Sequence, residues 1–295
     1  MRFSSTLRTA AWFVSLAAPF ALMADSATLR PVADTRLSEQ SLDSNFGNAT
    51  DIIIGTQGPT VGTPKNRGLM KFDLIGRIPP HSEITSVALT LTVTKVPQEG
   101  VDSIFELRRV LQAWNENEAT WKNRSGITAP WSSPGGAAPT DFSSTASAAI
   151  VINGLGSYTF DSTTNLMADV QSWVDNSSAN LGWIVLTQLE DVGKTARHFA
   201  SREAGASAPT LVVDFIPPPR IGDVSHQDTN ITFHFTVEGG YNYAVEYADA
   251  LPSMNWLVLT NFGAKVAGFE AGVTNSILTS PSRFFRLSRV PCNCR

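Results

Sequence analysis

The stretch Ile84-Thr85-Ser86-Val87-Ala88-Leu89-Thr90-Leu91-Thr92-Val93 decides the fold class. Val87, Leu89, Leu91 and Val93 fall on one side of an extended chain, and Thr90, Thr92 and Thr94 on the other. A period of two is the mark of a strand with one buried face. Working outward, similar short runs appear at Ile52–Gly55, Gly68–Phe72, Ser157–Phe160, Trp183–Leu186 and Leu211–Phe215. In Ile104–Val110, Ile104, Glu106, Arg108 and Val110 alternate with Phe105, Leu107 and Arg109, which predicts an open sheet face carrying Arg108. Short strands separated by Gly, Pro, Ser and Asn predict an all-β chain, an antiparallel β-sandwich or jelly roll. One segment departs from this period. Leu166, Val170, Trp173 and Val174 recur at helical spacing between Thr163 and Val174, which predicts one short amphipathic helix capped by Ser162 or Thr163.

Ile216-Pro217-Pro218-Pro219-Arg220 reads as a linker, because consecutive prolines hold an extended polyproline conformation. Beyond it, Ile231, Phe233, Phe235 and Val237, then Tyr243, Val245 and Tyr247, alternate with polar or small residues. The expected organisation is therefore a signal peptide at 1–24, a jelly-roll domain at 28–215, the linker at 216–220, a small fibronectin-III-like β-sandwich at 221–290 and a tail at 291–295. The signal peptide rests on Arg2 and Arg8, the uncharged apolar run Ala10–Met23, and small Ala24 before Asp25. That run is shorter than the roughly 20 residues of a membrane span. The reading is a secreted or cell-surface protein with no membrane span in the mature chain.

Of 295 residues only 16% are charged, and 22 basic against 26 acidic residues leave a net charge of −4. A 42% hydrophobic content excludes whole-chain disorder, and the negative balance argues against a nucleic-acid partner. No nucleophile elbow, His-Glu-x-x-His or phosphate loop occurs. Glu116 and Glu118 would point the same way from a strand, about 7 Å apart, a spacing compatible with an inverting glycosidase pair. The alternative is that they fix a loop bracketed by Trp114 and Trp121. Residues 28–215 hold 14 basic and 19 acidic groups, a net of −5, yet the basic ones cluster: Lys65 with Arg67, Arg108 with Arg109, Lys122 with Arg124. Guanidinium forks pair with carboxylates, so these residues are candidate ligands for an acidic glycan. Trp131, in a Pro/Ser/Gly loop, is the candidate exposed platform for a sugar ring. Cys292 and Cys294 form a terminal Cys-Asn-Cys with no further ligands in view.

Several pieces occur together in order: Ala33-Asp34-Thr35-Arg36-Leu37, Ser44-Asn45-Phe46-Gly47-Asn48, Arg67-Gly68-Leu69-Met70-Lys71-Phe72-Asp73-Leu74, Trp114-Asn115-Glu116-Asn117-Glu118-Ala119-Thr120-Trp121, Gly182-Trp183 and Phe199-Ala200-Ser201-Arg202-Glu203. With them the chain resembles the DNRLRE family of secreted modules over about residues 28 to 215. The resemblance implies a jelly roll that binds polysaccharide, often acidic. Tyr243-Ala244-Val245-Glu246-Tyr247-Ala248-Asp249 and Ser282-Arg283-Phe284-Phe285-Arg286 make the second domain similar to a C-terminal β-module of secreted Verrucomicrobia-type proteins. Sugar-binding jelly rolls often hold a structural Ca2+ near the first and last strands, where Asp34, Asn45 and Asp214 would be its ligands; no loop signature accompanies them. The expected function is secreted, non-catalytic polysaccharide binding, with self-association open. The alternatives are a structural or adhesive surface protein, and a polysaccharide lyase or glycoside hydrolase.

Overall fold

The computed structural model describes residues 24–58, 64–253, 255–276 and 282–291. The expected signal sequence up to residue 23, with its cleavage, and the Cys292/Cys294 pair lie outside them. The chain divides into two compact units, Ala24–Pro218 and the part from Pro219 onward. Among the described residues no helix is long and apolar enough to cross a membrane.

The first unit contains β1 (Asp25–Leu29), β2 (Pro31–Ser38), β3 (Asp51–Thr56), β4 (Lys65–Phe72), β5 (Glu83–Lys95), β6 (Ser103–Arg109), β7 (Asn123–Ser125), β8 (Ala129–Pro130), β9 (Ala148–Ile152), β10 (Gly156–Phe160), α1 (Thr164–Asp175), β11 (Trp183–Thr187), β12 (Arg197–Ala200) and β13 (Thr210–Ile216). Eleven of these strands form one antiparallel sheet that folds over on itself. Its front leaf holds β1, β13, β5, β10, β12 and β3. Its back leaf holds β2, β4, β11, β6 and β9. The fold line is β3, which pairs with β12 and, through Gly55 and Thr56, with β4.

Alternation explains the interior. Val87, Leu89, Leu91 and Val93 of β5 meet Phe105 and Leu107 of β6, Trp183 and Val185 of β11, and Phe199 of β12 in one core. Helix α1 adds Leu166, Val170, Trp173 and Val174 to the same core, as its spacing predicts. Thr163 caps it, its Oγ1 accepting the Leu166 N–H at 3.0 Å. Strands β2 and β12 escape the sequence pattern because each carries charge among its buried positions. In β12, Arg197 is fully buried. Its guanidinium donates to the carbonyls of Thr195, Ala196 and Val101, among others, which answers the demand that a buried charge be hydrogen-bonded.

The open sheet face expected at Arg108 is not open. Residues 111–147, including β7 and β8, lie over the outside of the back leaf. Trp121, Trp131 and Phe142 from this excursion form a second core with Leu37, Leu69, Ile184 and Leu186. Strand β11 is consequently buried on both faces.

The second unit contains β14 (Gly222–Gln227), β15 (Asn230–Val237), β16 (Tyr241–Ala248), β17 (Leu257–Phe262), β18 (Phe269–Ser276) and β19 (Phe284–Pro291). They form two three-stranded antiparallel sheets, β14-β15-β18 and β17-β16-β19. Phe233 and Phe235 of β15 cross from one sheet to rings on the other, Phe285 at 5.1 Å and Phe262 at 5.3 Å between centroids. This is a small β-sandwich.

Candidate functional site

The expected cationic residues are scattered and mostly engaged. Arg67 grips Glu190 with two bonds of 2.7 and 2.6 Å and donates from Nη1 to the carbonyls of Gly135 and Gly136. Arg108 is bound to Glu106 at 2.7 Å and to the carbonyls of Ser143 and Ser144. Arg109 donates to Ser172 Oγ at 3.1 Å and lies 3.7 Å from Asp169. These three hold the excursion, its exit and helix α1 onto the sandwich. Lys65 and Lys122 differ. Their partners, Asp191 and Asp43, are 76% and 71% exposed, and exposed ion pairs exchange readily because each is worth only about 0.2–1 kcal/mol. Arg124 is half-buried and donates to the Ala113 carbonyl at 2.8 Å, with no carboxylate beside it among the described contacts.

Trp131 is not a platform. It is 5% exposed, packs in the second core, and donates its indole N–H to the Thr120 carbonyl at 3.0 Å. Its loop lacks a core pattern because it covers a sheet and is not itself a strand. Gly135 stands at φ +86°, and a Cβ there would come within 2.6 Å of the Trp121 ring, so the loop closes on that indole only with glycine.

Three dispersed sequence pieces converge on a fourth at Glu116. Its carboxylate accepts the Asp34 N–H at 2.7 Å and two bonds from Arg202, at 2.6 and 3.0 Å. Asn45 donates to the carbonyls of Glu116 and Ala119 at 2.7 and 2.8 Å. A Cβ on Gly47 would lie 2.5 Å from the Glu116 carbonyl oxygen, so only glycine allows this approach. Asp34 Oδ2 accepts the Arg202 N–H at 2.7 Å, and burial pushes its carboxyl up to about 7, helped by Glu203 and Glu116 and opposed by the Arg202 N–H and charge. Glu116 and Glu118 sit in a turn and not a strand, and Glu118 is bound by Ser125 Oγ at 2.7 Å. The strand-based spacing of a glycosidase pair therefore does not apply.

The expected calcium ligands do not assemble. Asn45 Oδ1 accepts the Gly47 N–H at 3.1 Å and its amide N–H groups hold the Glu116 turn. Asp34 belongs to the back leaf, whereas Asp214 stands on β13 of the front leaf between Ser26 and Ser86. Asp34, Asn45 and Asp214 thus do not form one oxygen cage.

Among the described residues, the excursion covers the outer face of the back leaf and not that of the front leaf. The front-leaf face carries rows of hydroxyls, with Ala88, Val212 and Asp214 on the same face. Thr90 lies between Thr159 and Thr210, with Thr90 Oγ1 2.9 Å from Thr159 Oγ1. In the next row Thr92 and Ser157 are 3.2 Å apart, and Thr28 and Ser26 continue the face on β1. No aromatic ring stands in these rows. Such a face can donate to and accept from a polyhydroxylated chain along its length. The alternation at Thr90, Thr92 and Thr94 was the available signal, but it does not show which strands lie alongside.

Residues 25–134 match the family model of carbohydrate-binding module family 96. No curated protein matches the chain. Among solved structures, a trimeric ectodomain of the C. elegans fusion protein EFF-1 aligns with 89% of this chain and 82% of its own at 13% identity, with a TM-score of 0.13. That value carries no argument about fold or function.

Proposed function

We propose that the Ala24–Pro218 unit is a non-catalytic polysaccharide-binding module acting outside the cell, and that a glycan chain lies along the hydroxyl face of the front leaf. The similarity of residues 25–134 to a carbohydrate-binding module family carries this reading. The uncovered Thr/Ser rows support the placement, since the outer face of the back leaf is occupied by residues 111–147. An acidic glycan is the finer form of the proposal. It rests on Arg124, Lys122 and Lys65, which stand on the excursion and on β4 and not on the hydroxyl face, so a uronate there belongs to a stretch of polymer beyond that face; the exposed carboxylate partners of the two lysines can give way to it.

The test is affinity electrophoresis of the full chain against neutral and acidic polysaccharides at two salt concentrations. Retardation by an acidic polymer that weakens with salt is expected, because surface charges are screened over about 8 Å at physiological ionic strength. Thr92→Glu and Ser157→Glu, each placing a negative charge on the hydroxyl face, should weaken that binding about tenfold. Lys122→Ala with Arg124→Ala should flatten the salt dependence. No retardation by any polysaccharide would remove the reading.

A further inference from the structure

At the end of the first unit, a cleft of about 260 Å³ opens between the loop after β4 and the C-terminal end of α1, where Val32, Lys71, Ile75, Trp173 and Asn180 are among the lining residues. A second cavity of about 320 Å³ shares Ile75 and Trp173 with it. Two polar side chains of this wall lack partners. The Trp173 indole N–H and the Asn180 Oδ1 are both buried and unbonded, in side chains 1% and 7% exposed.

Trp173 differs in this from three other tryptophans. Trp114, Trp131 and Trp183 each donate their indole N–H to a protein oxygen, at 2.8, 3.0 and 2.9 Å. The amide of Asn180 is oriented by its Nδ2, which donates to the Phe72 carbonyl at 2.7 Å, so the unpaired atom is the acceptor. Buried polar groups without partners are rare and costly. Here a lone donor and a lone acceptor belong to two side chains that line one cleft, and a hydroxyl group can accept from the first and donate to the second. The lips are aliphatic and exposed: Val32 is 49% and Ile75 71% exposed. Lys71, half-buried at the rim, makes no ion pair among the described contacts; the carboxylate that shares the lining, Asp73, accepts the Ile75 N–H at 3.0 Å.

We propose that this cleft takes one sugar ring of a bound saccharide, with a ring hydroxyl between Trp173 Nε1 and Asn180 Oδ1, the C–H face against Val32 and Ile75, and a uronate carboxylate on Lys71. The proposal rests on the polysaccharide-binding reading above and adds a second subsite to it, distinct from the hydroxyl face. Both orphan atoms are closed to water in this conformation, so the wall opens slightly as the ring enters.

The experiment is an NMR titration of the full chain with alginate tetrasaccharide and, separately, cellotetraose, following the indole N–H resonances, alongside affinity electrophoresis in alginate. The Trp173 indole resonance should shift with the tetrasaccharide while those of Trp114 and Trp131 stay fixed. Ile75→Asp alters an exposed lip without disturbing the core and should reduce tetrasaccharide affinity at least tenfold, and Lys71→Ala should reduce alginate tetrasaccharide affinity more than cellotetraose affinity. Polymer binding with an unmoved Trp173 resonance and an unchanged Ile75→Asp affinity would mean that the orphan atoms hold ordered water only, which overturns the subsite and leaves the hydroxyl face standing. Absence of binding to polymer and oligomers alike would overturn both.

Discussion

Asp34 shows how a residue can make stability depend on pH. Its carboxyl titrates near 7 in the folded protein, against about 3.9 in an unfolded chain. The folded state therefore holds the proton more tightly. The stabilisation is complete below about pH 4 and is lost as pH rises through 7, with a slope of about 1.4 kcal/mol per pH unit between. Asp34→Asn keeps an oxygen for the Arg202 N–H and removes the titration. Urea unfolding at pH 5 and pH 8 should show the wild type losing stability between them and the variant nearly level; equal slopes would reject the assignment. Trp131 makes the complementary case. Its burial predicts that Trp131→Ala costs about 3–5 kcal/mol of unfolding free energy and leaves the Thr120 carbonyl without its donor. A surface platform would instead lose affinity and keep its stability.

At the scale of elements, the excursion 111–147 and helix α1 do similar work on different surfaces. The excursion carries too little regular structure to stand alone and is held by side chains of the sandwich, Arg67 onto Gly135 and Gly136 and Arg108 onto Ser143 and Ser144. Helix α1 is held by its apolar stripe and by Thr163, whose hydroxyl caps Leu166 N and also donates to the Ser147 carbonyl. Thr163→Ala should lower stability by about 1–2 kcal/mol, and Thr163→Ser should recover most of it. A loss below about 0.3 kcal/mol in thermal or chemical unfolding would show that the cap is immaterial to this helix.

At the scale of the whole molecule, each unit has its own core: the two clusters of the first, and the Phe233, Phe235 and Tyr243 interior of the second. We propose that the two fold independently. Limited proteolysis should cut between Ile216 and Gly222 and leave two stable fragments, and the fragment ending near Pro218 should retain the polysaccharide binding of the full chain. Survival of only one fragment that spans the prolines would contradict this. The second unit's Arg283, Arg286 and Arg289 pair with Asp249, Glu246 and Glu238, so that strand β19 is tied to its own sheet.

Strand β5 and helix α1 were readable from the chain because their apolar residues recur at fixed local intervals, and burial of one face follows from geometry within a single element. The alternation of Phe233 and Phe235 in the second sandwich was readable on the same ground, but not their meeting with Phe285 and Phe262. Strand β12 was not, since the reason Arg197 can be buried is a set of carbonyls from the two residues just before the strand and from Val101, far away in sequence. Nor was the role of Trp131, Arg67 or Arg108, because no local interval records that residues 111–147 turn back over the outside of the back leaf. The pieces around Asp34, Asn45, Glu116 and Arg202 were visible one by one. Their meeting at a single carboxylate, and the orphan atoms of Trp173 and Asn180 in one cleft, depend on contacts between distant segments, which only the folded chain brings within hydrogen-bonding range.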